Sequence, residues 1–360
     1  MPARPRLPGT DAELVVVGGG PVGLAAAILA RQSGIDVAVI EPRTAPIDKA
    51  CGEGLMPGAL AWLKRFGVHA DGAELRGVAY VNAGLRAEHR FAGGPGRGVR
   101  RTVLHQAMSD RADELGVTRI AGRVESVTQH SRSVTVRGNG LDAVSGAWLI
   151  GADGLHSRIR ELVAASRPHA GPAWRRRRTS RFGLRQHFRI APWSDMIEVH
   201  WAPSVEAYVT PLGPDLVGVA LLGPRGIDYA AELSTIPELA ARLAGVPVDG
   251  PVRGAGPLRQ TTARRTCGRV LLAGDASGYV DALTGEGLRV GFAQAHAAVR
   301  AIAAGDVHGY ERAWARQTRE FRLITGALVA AAGSPLRSLV VPASVGLPRV
   351  FGTVVERLAR

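Results

Sequence analysis

The stretch VVVGGGPVGLAAAILARQSGIDVAVIE, residues 15 to 41, constrains the fold more than any other part of the chain. Val15 to Val17 form a short all-apolar run, as expected of a parallel strand buried on both faces. Gly18, Gly20 and Gly23 follow in the order G-x-G-x-x-G. Pro21 to Gln32 is alanine-rich and helical in character, with Gly34 to end it. DVAVIE then reads as a second strand closed by Glu41. A strand, a glycine turn, a helix and a second strand make a βαβ unit. In such a unit the first glycine permits the tight turn and the second lets backbone approach a pyrophosphate. The third lets the helix pack close to the strand.

The free N–H groups and positive end of the helix dipole favour phosphate at that turn. Glu41 lies 18 residues after Gly23, where a carboxylate can accept ribose hydroxyls. These features predict a dinucleotide site and leave NAD and FAD open. Two later stretches narrow it. In WLIGADGLHSRIR an apolar strand, Trp148 to Ile150, leads into Gly151, Asp153, Gly154, Ser157 and Arg158, which alone would be an ordinary capped turn. In RVLLAGDASGYVDALTGEGLRVGF a strand ends at Ala273. Asp275 follows, placed to accept a sugar-like hydroxyl, and the Gly285-Glu286-Gly287-Leu288 run opens a helix expected to reach about Ala304. That helix start would stabilise negative charge on a redox ring, and its glycines let a flat ring approach.

Together, GxGxxG with Glu41, GADGxxSxxR, and GD before a glycine-rich helix start resemble the FAD-dependent superfamily of the para-hydroxybenzoate hydroxylase fold. That superfamily includes aromatic hydroxylases, flavin halogenases and geranylgeranyl reductases. The resemblance implies non-covalently bound FAD and NAD(P)H as reductant. It places Gly18, Gly20 and Gly23 at the pyrophosphate, Glu41 at the adenosine ribose and Arg101 against FAD at the start of the next helix. The backbone of Val124 would meet the adenine. Asp153 would anchor the turn near the pyrophosphate, close to where NAD(P)H is received. Asp275 would bond the ribityl chain, and Gly285, Glu286, Gly287 and Leu288 would lie against the isoalloxazine.

The implied fold class is α/β, a Rossmann-type FAD-binding domain (GR2-like) with an inserted antiparallel-sheet substrate domain. The FAD domain would be discontinuous, with pieces at 1–75, 100–165 and 265–320. Residues 76–99 and 166–264 would form the substrate domain and 321–360 a C-terminal helical segment. Strand-like runs such as MIEVHWAP, EAYVTP and LVGVALL support the inserted sheet. No second GxGxxG occurs, which argues against reductases with two dinucleotide domains.

The chemistry divides two ways. The expected reaction is monooxygenation of a hydrophobic aromatic or polyketide-like molecule through a flavin–oxygen adduct. The alternative is hydride transfer from reduced FAD to a carbon–carbon double bond. The CGEG stretch resembles the cysteine–glycine motif of the geranylgeranyl reductases, which places Cys51 near flavin and substrate. Gly278 stands where hydroxylases usually have histidine, and Asp281 fits the reductases, but Ala282 replaces their proline. Their aromatic substrate motif maps onto EAYVTP, where Tyr208 and Pro211 remain. Tyr208 is thus the second catalytic candidate, with His187 and His200 as further acid–base residues whose ordinary reading is structural. A halogenase would need a catalytic lysine, and Lys49 and Lys64 are the only lysines, neither obviously placed. A non-catalytic flavin-binding or electron-transfer role is a minor alternative.

Net charge is +14, nearly all of it arginine. The densest run, Arg175 to Arg178 with Arg181, Arg185 and Arg189, reads as a solvated loop, and no nucleic-acid motif accompanies it. The two cysteines, Cys51 and Cys267, form no metal cluster or disulfide framework, in keeping with a cytoplasmic setting and no metal. Residues 14–30 lack the cleavage site of a signal peptide. Residues 323–355 are apolar but interrupted by Arg337, Arg349 and three prolines. That segment is expected to pack on the protein, with peripheral membrane contact left open. Oligomeric state is not legible.

Overall fold

The computed structural model describes residues 9–165 and 181–360. The arginine run at 175–178 therefore lies outside the described residues. The first strand, Ala12–Val17, sits in the middle of a parallel sheet. Its neighbours are Val37–Ile40 and then Thr118–Ile120 on one side, and Leu141–Gly151 and then Val270–Leu272 on the other. Alternation along this strand divides the core. Leu14 and Val16 pack with the helices Pro21–Gln32, Arg101–Glu114 and Gly287–Ala304. Val15 and Val17 face the other way, among Val124, Val134, Val136 and Val144 of an antiparallel meander and Ile159 of the helix Arg158–Ala165. Both faces of the sheet are covered, which is why the strand reads as unbroken hydrophobic sequence.

A second sheet has the order Arg253–Ala255, Phe182–Phe188, Leu216–Gly223, Glu206–Gly213, Met196–Trp201, Gly77–Asn82, Leu85–Arg90. The antiparallel pairing expected of this sheet holds at every junction but one: Met196–Trp201 runs parallel to Gly77–Asn82. The reason is topological, since the latter strand enters from a distant part of the sequence rather than through a hairpin. Nor does all of 76–99 join this sheet. Gly96–Gly98 pairs instead with Gly54–Leu55 and Ala73–Leu75.

The second sheet is also buried on both sides. Val209, Val217, Val219 and Leu221 pack beneath the helices Tyr229–Ser234 and Pro237–Leu243. Tyr80, Ile197, Val199, Tyr208, Ala220 and Leu222 point the opposite way, toward the C-terminal helices. The boundary expected at 320/321 falls inside one continuous helix, Val307–Ala332, whose Tyr310 and Trp314 are fixed in the first core. Beyond it the chain turns through Pro335–Leu339 and Val340–Gly346 into a last helix, Pro348–Ala359. That helix buries Phe351, Val355 and Leu358, each contributing about 1.5–3 kcal/mol of apolar burial.

Candidate functional site

A cavity of about 440 Å³ opens between the carboxyl ends of the parallel strands and the inner face of the second sheet. This is where open α/β sheets hold ligands, and the volume suits a small-molecule site. Of the expected site residues, Gly18, Gly20, Glu41, Cys51, Arg101, Asp153, Tyr208, Asp275, Gly285, Gly287 and Leu288 line it.

The three glycines of the first turn do different jobs. A Cβ on Gly23 would fall 1.8 Å from the Gly18 carbonyl oxygen. On Gly18, which has φ of +107°, it would fall 2.5 Å from the Ala152 oxygen. These two glycines make room for protein. A Cβ on Gly20 would meet nothing within 4 Å, although Gly20 lines the cavity at the N-terminus of a helix. That open cradle is the place for a ligand phosphate, because the first N–H groups of a helix lack intrahelical acceptors.

Glu41 follows the second strand, and its Oε2 accepts the Gly19 N–H at 2.9 Å. Burial pushes the Glu41 carboxyl up, but hydrogen bonds from Arg43 and Gly19 outweigh this and hold its pKa below the usual value. The carboxylate is therefore ionised and ready to accept hydroxyls. Asp153 and Ser157 cap the helix after the mid-chain strand. Asp153 Oδ2 accepts the Ile159 N–H at 3.1 Å and Ser157 Oγ the Arg160 N–H at 2.9 Å. Burial raises the Asp153 pKa, and its Oδ1 is buried without a hydrogen-bond partner. Arg101 Nε is likewise buried and unpartnered. Two orphaned polar atoms and an open glycine cradle on one cavity wall fit the phosphates and ribose of FAD.

At the other end, Gly274–Ser277 forms a single 3₁₀ turn, with Asp275 at the cavity and Lys49 Nζ 3.4 Å from its Oδ2. Arg160 braces this turn, donating to the Asp275 and Ala276 carbonyls at 3.2 and 3.3 Å. The helix expected at 285 begins at Gly287. Three expected residues do not line the cavity: Gly23, whose place is against the Gly18 carbonyl, and two others. Val124 is buried in the meander core. Glu286 turns away to accept a hydrogen bond from Arg289 Nε at 2.8 Å, and its Oε2 has no partner. Burial pushes the Glu286 carboxyl up to about 7 despite that arginine.

On the sheet side the walls are mostly hydrocarbon: Val78, Ile197, Val199, Ala220 and Leu222, with Tyr80 and Tyr208. The Tyr208 hydroxyl donates to the Leu283 carbonyl at 2.7 Å, and burial lifts its pKa well above the ordinary tyrosine value. It is a neutral tether for the 281–285 loop. His200 lies on the far face of its strand against Glu198. His187 points toward the cavity side but is covered by Glu53, whose Oε2 lies 2.6 Å from its Nε2. Neither histidine lines the cavity.

Glu53 is the main residue that sequence reasoning missed. It has φ of +60°, unusual for a side chain with a Cβ, and is 3% exposed. Its Oε1 accepts the Arg101 N–H at 2.8 Å, so it joins the Cys51 loop, the Arg101 helix and the His187 strand. Only its place between Gly52 and Gly54 hinted at a special backbone. Cys51, two residues earlier, lines the cavity, and its Sγ accepts the Glu53 N–H at 3.4 Å. Lys49 and Arg160 were also missed, since a lone lysine in an irregular loop and a second arginine in a helical turn carry no pattern.

Comparison with known proteins places this geometry. Residues 11–177 match the family model described as FAD binding domain. The chain is 29% identical to the dialkyldecalin synthase of Streptomyces rugosporus over 306 residues, 78% of this chain and 63% of that protein. It is 29% identical to the menaquinone reductase of Mycolicibacterium smegmatis over 85% of this chain and 80% of that protein. A 6-methylpretetramide 4-monooxygenase of Streptomyces rimosus is 31% identical over 44% of this chain and 42% of that protein. The chain thus spans less than two thirds of the first and third of these relatives. A solved flavoprotein/dehydrogenase from Cytophaga hutchinsonii superposes with a TM-score of 0.81 at 17% identity, covering 96% of this chain and 92% of that one.

Proposed function

Since the chain belongs to the FAD-dependent superfamily of the para-hydroxybenzoate hydroxylase fold, we propose that it reduces a carbon–carbon double bond in a long, apolar small molecule. FAD, once bound and reduced by NAD(P)H, supplies a hydride. The observation that carries this reading is the composition of the sheet-side wall. Five of its residues are aliphatic, the Tyr208 hydroxyl is already donated to Leu283, and His187 and His200 lie outside the cavity. A phenol-oxidising site needs a group to take the phenolic proton; on this wall only the Tyr80 hydroxyl is left, its pKa raised to about 12 by burial, while Glu53 and His156 line other parts of the cavity. A hydrocarbon substrate needs only shape and exclusion of water there.

The polar wall does the rest. Gly20 and Arg101 would hold the phosphate end of the cofactor, with Asp153 anchoring the turn beside it, Glu41 would hold the ribose, and Asp275 with Lys49 the sugar-alcohol chain. Cys51 is the thiol on the cavity wall and is the proposed donor of the proton that accompanies the hydride. The similarity to a menaquinone reductase over most of both chains supports reduction of a lipophile. Hydroxylation, the expectation from sequence, is the second reading. The partial match to a 6-methylpretetramide 4-monooxygenase favours it.

The product's mass separates them. With NADPH and a polyprenyl alcohol or polyprenylated quinone under nitrogen, a product heavier by two hydrogen atoms is expected. Cys51→Ala should lower turnover at least roughly tenfold while FAD content stays unchanged. A product that gains an oxygen atom, formed only in air and only from aromatic substrates, would overturn reduction in favour of hydroxylation.

A further inference from the structure

We propose that the outer face of the C-terminal segment, from Leu336 to Val350, is a docking surface for an anionic lipid bilayer. Ten large hydrophobic side chains are exposed among the described residues, and five of them lie here: Leu336, Leu339, Val345, Leu347 and Val350. Leu336 and Leu347 are each 58% exposed, too much for side chains that complete a core. Scattered single hydrophobics are ordinary on a protein surface, but a cluster within 15 residues of chain marks a contact site.

Charge selects the partner. From Phe321 to Val355 there is no aspartate or glutamate, whereas Arg322, Arg337 and Arg349 lie within those residues. Arg349 is exposed among these apolar side chains, whereas Arg322 lies further back along its helix, over the Trp314 ring. Arg337 is turned inward instead, donating to the Ala202 carbonyl and pairing with buried Glu206. It therefore fixes the turn at 335–339 against the second sheet, so the apolar side chains are presented on a held surface. Exposed leucine and valine beside Arg349, with no acid between residues 336 and 350, match the headgroup boundary of an anionic membrane. The whole chain, at +14, is drawn to the same surface.

The segment lies on a membrane rather than crossing it. No single helix among the described residues is long and apolar enough to span. Val307–Ala332 and Pro335–Gly346 have the composition together, but they are bent by 102°. The bend leaves Leu336 and Leu339 at a corner, as a shallow insertion requires.

The inner face of the same element gives this surface its purpose. Pro348–Ala359 presents Val350 outward, while Val355 and Leu358 line the cavity. Only one helix, roughly 10 Å across with its side chains, separates the apolar surface from the cavity. Glu356 ties this helix to the second sheet through His89 and the Ala92 N–H. A lipophile leaving the bilayer would meet the cavity directly behind the docking face. This last step rests on the proposed function, whereas the docking surface does not.

The test is flotation of the full-length, flavin-loaded protein with vesicles of phosphatidylcholine alone or with one third phosphatidylglycerol. The protein should float with the anionic vesicles and remain behind with the neutral ones. The variant L336S/L339S/L347S/V350S should lose at least roughly tenfold in partitioning, with bound flavin and melting temperature unchanged. Failure of the wild type to float with anionic vesicles would overturn the proposal, as would flotation of a folded variant equal to that of the wild type. So would a wild-type dimer that becomes monomeric in the variant while neither floats, which would make the face an interface between copies. None of these readouts depends on turnover, so their failure is separable from failure of the proposed reaction.

Discussion

On its nucleotide side the cavity is built from backbone, and across from it the wall is built from side chains. The contrast begins with Gly18 and Gly23, which are glycine because a Cβ would strike a neighbouring carbonyl. Gly20 is open because a ligand must come close. A side chain at Gly18 or Gly23 would collide with protein, and one at Gly20 would fill the cradle, so the requirement is written into the sequence. The sheet side needs only hydrophobic residues at alternate positions of Met196–Trp201, Glu206–Gly213 and Leu216–Gly223. Many sequences meet that condition. A site fixed by backbone geometry keeps its signature, whereas a pocket fixed by volume does not.

The largest expected effect falls on the backbone side. Gly23→Ala should destabilise the apo protein by at least about 3 kcal/mol, because the new methyl meets a carbonyl that cannot retreat without moving the helix. Denaturant melts of the flavin-free protein check it. Gly20→Ala sharpens the contrast. Apo stability should stay within about 0.5 kcal/mol of wild type, while FAD affinity falls at least roughly tenfold, read by fluorescence titration. Equal loss of apo stability in both variants would erase the proposed division between protein-facing and ligand-facing glycines.

Across the cavity the effects are smaller. Tyr208→Phe should cost about 1–3 kcal/mol in a urea melt, because it strands the buried Leu283 carbonyl. FAD content should hold, and the pH profile of turnover should not move, since the hydroxyl is a tether. A shifted profile would restore Tyr208 as an acid–base group.

The smallest effect concerns Glu286. Its carboxyl titrates at about 7 when folded, against an ordinary value near 4.5. The folded state therefore binds the proton more tightly, and this residue's contribution falls as pH rises from about 4.5 to about 7. Glu286→Gln should flatten that part of the curve of melting temperature against pH. It should also leave FAD affinity unchanged, because the side chain turns away from the cavity. Lost FAD binding would return Glu286 to the cofactor site.

The same contrast explains what sequence reading reached. The βαβ unit was legible to the residue for the helix Pro21–Gln32, because a proline start and a glycine stop bracket an alanine-rich run. The capped turn at Asp153 and Ser157 was legible for a similar reason. Glu53, Lys49 and Arg160 were not. Each works through partners between 48 and 226 positions away, and no local pattern records a contact of that range. The direction of the Glu286 side chain was not legible, because a motif gives a residue's position along the helix start but not which way its side chain turns. The parallel junction between Met196–Trp201 and Gly77–Asn82 was hidden likewise, since strand composition carries no direction.

The most direct test of the account is calorimetric titration of flavin-stripped protein with FAD, for the wild type and for Gly20→Val. The account requires one FAD per chain at micromolar or tighter affinity in the wild type. It also requires that affinity to collapse in the variant, with the apo protein still folded. A wild-type chain that takes up no FAD, or a variant that binds it equally well, would contradict the account.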